Sequence, residues 1–241
     1  MRGLIADQSG ARVKWVVVDY AGVVSLAPPE QAGALLPRAL GVASHEFWPV
    51  YQRERRPYDV GEVEASRFWS AVGGRLGRTV DPDLLEVLVT LDLRAWTHPN
   101  EETLALLREP TGSGAALALL SNAPAELAQL IDDQPWARLF RHRFFSADLG
   151  RAQPDPQVFS QVCARLGARP DDLLFVGGRR ENVAAAQALG IEAVLFTGVS
   201  QLRSDLTGTG VSAGAAGVRG TPPVRRTPPV RRKAPEAVLP R

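Results

Sequence analysis

Four polar or glycine-rich segments of the chain are the places where chemistry is expected. They are Asp19 after the run VKWVVV, Ser121 and Asn122 after AALALL, GRAQPDP at 150–156, and Gly177 and Gly178 after DLLFV. A carboxylate such as that of Asp19 can act as a nucleophile, and a hydroxyl such as that of Ser121 can stabilise charge that develops on an oxygen. A carboxylate at a strand end also accepts N–H bonds from the next loop, so a structural role for Asp19 stays equally open.

The elements that must position these segments alternate between strands and helices. Apolar runs predict strands at 13–18, 115–120, 172–176 and 192–196, and helical patterns occupy 100–109, 124–131, 155–167 and 180–189. This alternation predicts an α/β fold, a Rossmann-like doubly wound parallel sheet with helices on both faces. Ligands bind beyond the carboxyl ends of the strands in such sheets, so the four segments are expected to meet at one edge.

Residues 26–98 interrupt the alternation and contain no clear strand. Helical patterns are found there at 30–40, 44–56, 62–76 and 82–93, and Pro57, Gly61 and Gly73–Gly74 separate them. We therefore predict a helical cap at 26–98, inserted into an α/β core formed by 12–25 and 99–207. The aromatic side chains of this segment are expected to form the interior of the insert.

The formal charge of +2 is unevenly distributed along the 241 residues. Residues 201–241 hold eight basic and two acidic side chains, a balance of +6, which leaves 2 − 6 = −4 for the rest. The tail 208–241 repeats TPPVRR in tandem and is too poor in apolar residues to offset the entropy of ordering, so it is predicted to be disordered. It could contact acidic surfaces, but without interleaved aromatics it carries no specific signal for nucleic acid or membrane.

Composition excludes several classes of protein. A single cysteine, Cys163, excludes an internal disulfide framework and a cysteine-based zinc site, and the three histidines are scattered without ligand spacing. No apolar run approaches the roughly 20 residues of a membrane helix, and residues 1–12 lack the apolar stretch of a secretory signal. The expected location is the cytoplasm.

The order of the four segments resembles the haloacid dehalogenase-like (HAD) hydrolase superfamily, in its subgroup with a helical cap after the first motif. The matching segments are VVVDYAGVV (16–24), LLSNAP (119–124), SADLGRAQPDPQVF (146–159) and FVGGRRENVAAAQALG (175–190). The resemblance implies phosphoryl transfer through a covalent aspartyl intermediate with Mg²⁺. In that chemistry an acid two residues after the nucleophile protonates the leaving group, and a lysine and fourth-loop carboxylates hold the oxygens and the metal.

Most of the parts implied by the resemblance are replaced in this sequence. Asp19 stands as candidate nucleophile, and Ser121 and Asn122 stand at the second motif. The acid position is Ala21, the lysine position is Gln153, and the two acidic positions of the fourth loop are Gly177 and Gly178. Asn182 is neutral and does not replace their charge. Two glycines after a strand supply a turn with positive φ or, more weakly, a nest that cradles phosphate.

The missing charges decide the expected function. Two unit charges about 4 Å apart interact by roughly 4 kcal/mol at an effective dielectric constant near 20, so a phosphate dianion would be repelled by Asp19 without metal or lysine. An arginine on the neighbouring loops could replace the metal's charge, and the candidates are Arg151, Arg179 and Arg180. The opposing expectation is that these arginines point to solvent.

We therefore predict a HAD-like protein with a degenerate site, a pseudoenzyme or binding module without Mg²⁺-dependent phosphatase activity, metal ligands or cofactor. The alternative is an active hydrolase of small phosphorylated or anionic substrates that uses Asp19, and then Mg²⁺ is the expected cofactor. The dehalogenase branch of the family needs no metal but uses a lysine where Gln153 stands, so it ranks lower. A small anionic ligand is the expected partner, and the tail is a third candidate for the functional element.

Overall fold

The apolar runs of the sequence form a parallel sheet in the computed structural model, which describes residues 13–26, 33–109, 114–208 and 225–226. The strands are β1 (Trp15–Asp19), β2 (Ala116–Ser121), β3 (His142–Phe145), β4 (Leu173–Gly177), β5 (Glu192–Leu195) and β6 (Arg225–Arg226). Their order across the described sheet is β5-β4-β1-β2-β3-β6, and neighbouring strands run parallel. The strand that carries Asp19 is therefore central, between β2 and β4.

Helices cover both faces of the sheet. They are α5 (Glu101–Arg108), α6 (Ala125–Asp132), α7 (Ser146–Leu149), α8 (Pro156–Leu166), α9 (Arg180–Gln187) and α10 (Val199–Gly208). Val16 and Val18 of β1 pack on the face covered by α5, α6 and α10, whereas Val17 packs on the face covered by α8 and α9. Because both faces are buried, the strand is apolar throughout instead of alternating with polar residues.

A helical insert lies between β1 and β2. Its helices are α1 (Leu35–Leu40), α2 (Ser44–Asp59), α3 (Ala65–Arg75) and α4 (Pro82–Ala95). Phe47, Phe68 and Trp69 are fully buried in a hydrophobic core of the insert's own. The aromatic side chains of this segment therefore fill an interior, as the sequence analysis expected for most of them; Trp96 packs instead against the core of the sheet domain.

Some expected boundaries are wrong. Pro57 lies inside α2 and Gly73–Gly74 inside α3, so these residues do not end helices. The helix α2 continues past Pro57 to Asp59, which accepts a hydrogen bond from Arg55 one turn earlier. The four-residue strand β3 was not predicted, because it begins with His142 and Arg143, which do not form an apolar run.

The predicted tail lies largely outside the described residues. Within it the structure describes only the end of α10 and the two residues of β6, whose backbone pairs with His142 and Arg143 of β3. Across the described parts of the chain, no helix combines the length and apolar character that crossing a membrane requires.

Candidate functional site

The site lies at the carboxyl edge of the sheet, where the ends of parallel strands meet. Asp19 is the last residue of β1, Ser121 is the last residue of β2, and Gly177 is the last residue of β4. The register pairs Asp19 with Leu120 across β1 and β2, so Ser121 lies one residue beyond Asp19 along the edge. The short helix α7, which directly follows β3, brings the Gln153 loop to the same edge.

Asp19 is surrounded by neutral hydrogen-bond donors. The side-chain amide of Asn182 donates to its Oδ2 at 3.1 Å, and the amide of Gln153 donates to its Oδ1 at 3.3 Å. The backbone N–H of Gly178 donates to Oδ2 at 3.4 Å. Asp19 is only 3% exposed, so its carboxyl group relies on these donors rather than on water.

Burial determines the acidity of Asp19. Removal from water raises its pKa from an ordinary value of 3.8 to about 6, and the hydrogen bonds from Asn182, Gln153 and the backbone lower it only in part. A positively charged neighbour would favour the carboxylate. Among the described residues no cationic side chain forms an ion pair with Asp19. This explains why its pKa is not lowered again to the ordinary value.

Gln153 is held in place by Asn122. The Asn122 amide donates to the Gln153 carbonyl at 2.8 Å, and the Gln153 N–H donates to Asn122 Oδ1, also at 2.8 Å. The peptide bond from Gln153 to Pro154 is cis. The Oε1 atom of Gln153 is buried without a hydrogen-bond partner. Gln153 thus offers Asp19 a donor and leaves one acceptor unused.

The two glycines allow the loops after β1 and β4 to touch. A Cβ atom on Gly178 would lie 2.4 Å from the Ala21 carbonyl oxygen, and one on Gly177 would lie 2.8 Å from side-chain atoms of both Phe175 and Val183. Real Cβ atoms do not approach backbone so closely, so a side chain at Gly178 requires the backbone at Ala21 to move. The close approach also directs the Gly178 N–H toward Asp19.

Asp19 is the carboxylate that these residues offer to a magnesium ion. Mg²⁺ binds to oxygen ligands in octahedral geometry and usually takes one or two protein carboxylates. A second carboxylate at position 178 would require the Ala21 backbone to move, because a Cβ atom there would lie 2.4 Å from the Ala21 carbonyl oxygen. Among the described residues no group of three or more His, Cys, Asp or Glu side chains is arranged to hold a metal.

The arginines expected as charge replacements lie elsewhere. Arg151 pairs with Asp155 at 3.0 Å, and Arg179 lies 3.6 Å from Glu181 with 69% of its side chain exposed. Arg180 is exposed at the start of α9. The described ion pairs place none of the three on Asp19, in agreement with the opposing expectation that these arginines point to solvent. The nearby carboxylates of Asp155 and Glu181 pair with two of them.

The remaining predicted residues do meet. The structure brings together Asp19, Gln153, Gly178 and Asn122, the last through its bonds to Gln153. Ser121 is buried at the end of β2 beside them. Ala21 takes part through its backbone carbonyl. Asn182, expected only as a neutral residue that does not replace the missing charge, donates to Asp19 from the first turn of α9. The signal in the sequence is an amide in the first turn of the helix that follows the double glycine.

Ser146 is a buried residue that the sequence analysis did not single out. Its hydroxyl donates to the Asp59 carbonyl at the end of α2, and it accepts the N–H of Ala123, the residue after Asn122, at 2.8 Å. Nearby, Tyr58 donates to Glu126 of α6 at 3.1 Å. The signal in the sequence is the serine that opens SADLG, directly after the apolar residues of β3.

The chain passes between the sheet domain and the insert near Tyr20 and again near Trp96. Both the Tyr20 hydroxyl, at 2.6 Å, and the Ser25 hydroxyl, at 2.9 Å, donate to the Trp96 carbonyl. Backbone bonds from Leu26 to His98 and from Asn100 to Val24 join the two connections further. Because Tyr20 follows Asp19 directly, the connection to the insert begins at the site.

The sequence of the chain is similar to those of proteins that are named phosphatases. The chain is 30% identical to a probable phosphoglycolate phosphatase of Pseudomonas putida over 154 residues, which cover 56% of this chain and 61% of that protein. It is 26% identical to the sesquiterpene phosphatase astK of Aspergillus oryzae over 187 residues, 76% of this chain and 90% of that protein. The chain therefore spans less than two thirds of the first relative and most of the second.

Solved structures share the fold. A HAD-family enzyme of Bacteroides thetaiotaomicron in its magnesium complex aligns with a TM-score of 0.61 at 18% identity, covering 76% of this chain and 93% of that one. The L-2-haloacid dehalogenase of Xanthobacter autotrophicus with covalently bound chloropropionic acid aligns with a TM-score of 0.58 at 19% identity, covering 83% and 84%. At such identities the likeness concerns the fold alone.

The assignment of the chain to a protein family comes from a match to a family model. The model of the haloacid dehalogenase-like hydrolases matches residues 34–190, which include Ser121, Gln153 and the double glycine. The match begins after Asp19, so the assignment of that residue to the family's first motif stays a prediction. With well over half of its length matched, the chain belongs to the haloacid dehalogenase-like hydrolase family.

Proposed function

We propose that this chain is a degenerate member of its family, a binding module or pseudoenzyme with an inserted cap, that does not catalyse Mg²⁺-dependent phosphoryl transfer. The observation that carries the proposal is the contact of Gly178 with the Ala21 carbonyl, where an added Cβ would lie 2.4 Å away. A carboxylate side chain at this position would require the Ala21 backbone to move. No resident cofactor is part of this proposal.

Charge supports the same proposal. A phosphate dianion brought near the Asp19 carboxylate would meet repulsion of at least about 4 kcal/mol, the value for two unit charges 4 Å apart at an effective dielectric constant near 20. The hydrogen-bond donors around Asp19 are neutral. They are the side-chain amides of Gln153 and Asn182 and the backbone N–H of Gly178. Neutral donors stabilise a charge less than a cation does, and Ala21 provides no acid for a leaving group.

A second candidate is an active hydrolase of small phosphorylated or anionic substrates with Asp19 as nucleophile. The names of the relatives favour it, since the similar sequences from Pseudomonas putida and Aspergillus oryzae are called phosphatases. Taken alone, the comparisons support this candidate better than the first. The retained Asp19 and Ser121 are consistent with it, whereas Gly178 and Ala21 are not.

Turnover separates the two candidates. The full chain is incubated with p-nitrophenyl phosphate and with phosphoglycolate, with and without Mg²⁺, beside Asp19→Asn and a control variant at the exposed Asp133, Asp133→Asn. We expect the rates of all three proteins to equal the protein-free rate, and calorimetric titration with Mg²⁺ to give no binding heat. Mg²⁺-dependent turnover that only Asp19→Asn abolishes would establish the second candidate instead.

Two further expectations remain proposals. We propose a small ligand rather than a macromolecule as the partner of the site, and a cytoplasmic location for the chain.

The predicted contact of the basic tail with acidic surfaces falls on residues 208–241, nearly all of which lie outside the described residues. Deleting 209–241 and comparing retention on anionic resin at low and high salt tests it, because such attraction is screened by salt.

A further inference from the structure

Ser146 lies where the helical insert meets the sheet domain. Its side chain is fully buried between the end of α2 and the loop after β2. The packing there is tight, since a Cβ atom on Gly61, just after α2, would lie 3.1 Å from the Ala147 carbonyl oxygen. Any movement of the insert relative to the sheet therefore changes the surroundings of Ser146.

The Ser146 hydroxyl has two acceptors for one proton. It accepts the N–H of Ala123, and it faces both the Asp59 carbonyl of the insert and, at 3.3 Å, the Ala123 carbonyl of the sheet domain. A hydroxyl donates one hydrogen at a time, and the contact with Asp59 is the shorter. When the insert is docked, the Ser146 hydroxyl donates to the Asp59 carbonyl. When the insert is displaced, the Ala123 carbonyl is the one of these two acceptors that remains.

The contacts continue from Ala123 to Asp19. The Ala123 N–H belongs to the planar peptide between Asn122 and Ala123, which moves as one unit, so its bond to Ser146 fixes the backbone that carries Asn122. Asn122 holds the Gln153 backbone by two bonds of 2.8 Å, and the Gln153 amide donates to Asp19.

We propose that Ser146 is a positioning residue that transmits the docking of the helical insert to Gln153 and so to the donors around Asp19. The inference concerns the same site as the proposed function but requires no turnover. Its partners are two backbone carbonyls and one backbone N–H, and the insert contributes only the Asp59 carbonyl to them. The Ser146 hydroxyl is thus a two-position element that depends on where the insert lies.

Amide exchange of the full chain measures this transmission residue by residue. The informative group is the backbone N–H of Gln153, because its acceptor is Asn122 and not Ser146. We expect Ser146→Ala to accelerate exchange at this N–H about tenfold, the effect of losing roughly one hydrogen bond. The matched control is Ser160→Ala, which removes an exposed hydroxyl bonded to Pro156 and leaves Gln153 unchanged.

Tyr58→Phe provides an independent test that also serves if Ser146→Ala fails to fold. It removes the bond from Tyr58 to Glu126, which loosens the insert without touching Ser146 or Gln153. We expect faster exchange at Gln153 in Tyr58→Phe. In the folded Ser146→Ala background, adding Tyr58→Phe is expected to cause no further change, since the connection is already broken.

Two results would overturn the inference. One is unchanged exchange at Gln153 in Tyr58→Phe while the amides of Val60 and Gly61 exchange faster, because the insert would then move independently of the site. The other is an acceleration of Gln153 exchange by Tyr58→Phe that is equally large in the Ser146→Ala background. The effect of the insert would then reach Gln153 through Glu126 and α6 rather than through Ser146. Neither result depends on whether the protein hydrolyses phosphate, so the outcome is separate from that of the turnover assay.

Discussion

Asp19 concentrates the unusual electrostatics of the molecule. It is a buried carboxyl group that receives three neutral hydrogen bonds, and burial still raises its pKa to about 6. A group whose pKa is raised on folding binds its proton more tightly in the native state. The free energy of unfolding that depends on Asp19 is therefore highest below its unfolded pKa of 3.8 and is lost as the pH rises through 6.

Asp19→Asn is expected to remove this pH dependence. A shift of about two pKa units corresponds to ~3 kcal/mol. Between pH 4 and pH 7 the wild type should lose about that much of its free energy of unfolding through Asp19, and the variant should not. An asparagine also keeps an acceptor for Asn182, and its amide can donate to Gln153 Oε1 if that side chain flips. Urea denaturation across this range gives the difference directly, and a difference that stays constant with pH would contradict the assignment.

Gly178 is expected to tolerate no side chain. Gly178→Ala places a methyl group against the Ala21 carbonyl, and overpacking of this kind costs about 1–3 kcal/mol. The matched control is Gly74→Ala, since Gly74 lies inside α3 with no atom near its Cβ position, and alanine there should stabilise by up to about 1 kcal/mol. Thermal denaturation compares the two variants, and equal melting temperatures would show that the loops after β1 and β4 separate freely.

At the residue scale the sequence predicted which side chains meet but not how they interact. Asp19 and Ser121 lie together because each ends a strand that is fixed by apolar pairing, and the helix α7 after β3 brings the Gln153 loop to them. Arg151 and Arg179 were unpredictable, because loop side chains choose their direction by local partners such as Asp155 and Glu181. The contact of Gly178 with Ala21 depends on sub-ångström loop geometry that no residue pattern encodes.

At the scale of elements, a buried ion cluster joins α2 to α4. Arg55 binds Asp59 in its own helix and Asp92 in α4, each at 2.7 Å, and Tyr51 donates to Asp92 at 2.5 Å. The Arg55 guanidinium also lies 5.2 Å from the centre of the Tyr51 ring. One cation thus neutralises part of the charge of two carboxylates inside the insert.

Arg55→Met is expected to destabilise the protein by about 3–5 kcal/mol, because it leaves two buried carboxylates without their cation. Adding Asp92→Asn should recover part of the loss by removing one of those charges. The control is Arg203→Met, whose exposed pair with Glu109 is accessible to water and salt, so the denaturation midpoint should barely change. Equal effects of Arg55→Met and Arg203→Met in chemical denaturation would show that the cluster contributes nothing specific.

Elements were predictable wherever apolar periodicity is strong. The runs at 13–18, 115–120 and 172–176 became β1, β2 and β4, because strands buried on both faces need a continuous apolar stretch. The strand β3 escaped prediction since Arg143 is neutralised by Asp132 of α6, a partner eleven residues earlier that a local pattern does not reveal.

At the scale of the whole molecule, the order of motifs carried more information than any one of them. The succession from β1 to the insert, then β2, the Gln153 loop and β4, matches a family in which the fold is shared by proteins with named phosphatase and dehalogenase functions. A fold hosts many functions, so the architecture could be predicted from the sequence while the activity depends on a few side chains at one edge.

The contact between Gly178 and Ala21 has an evolutionary consequence. Aspartate at Gly178 would not by itself create a cation-binding acid, because the new side chain would collide with the neighbouring backbone. An acid at this position needs a second change that separates the two loops. It is therefore difficult to gain by a single substitution.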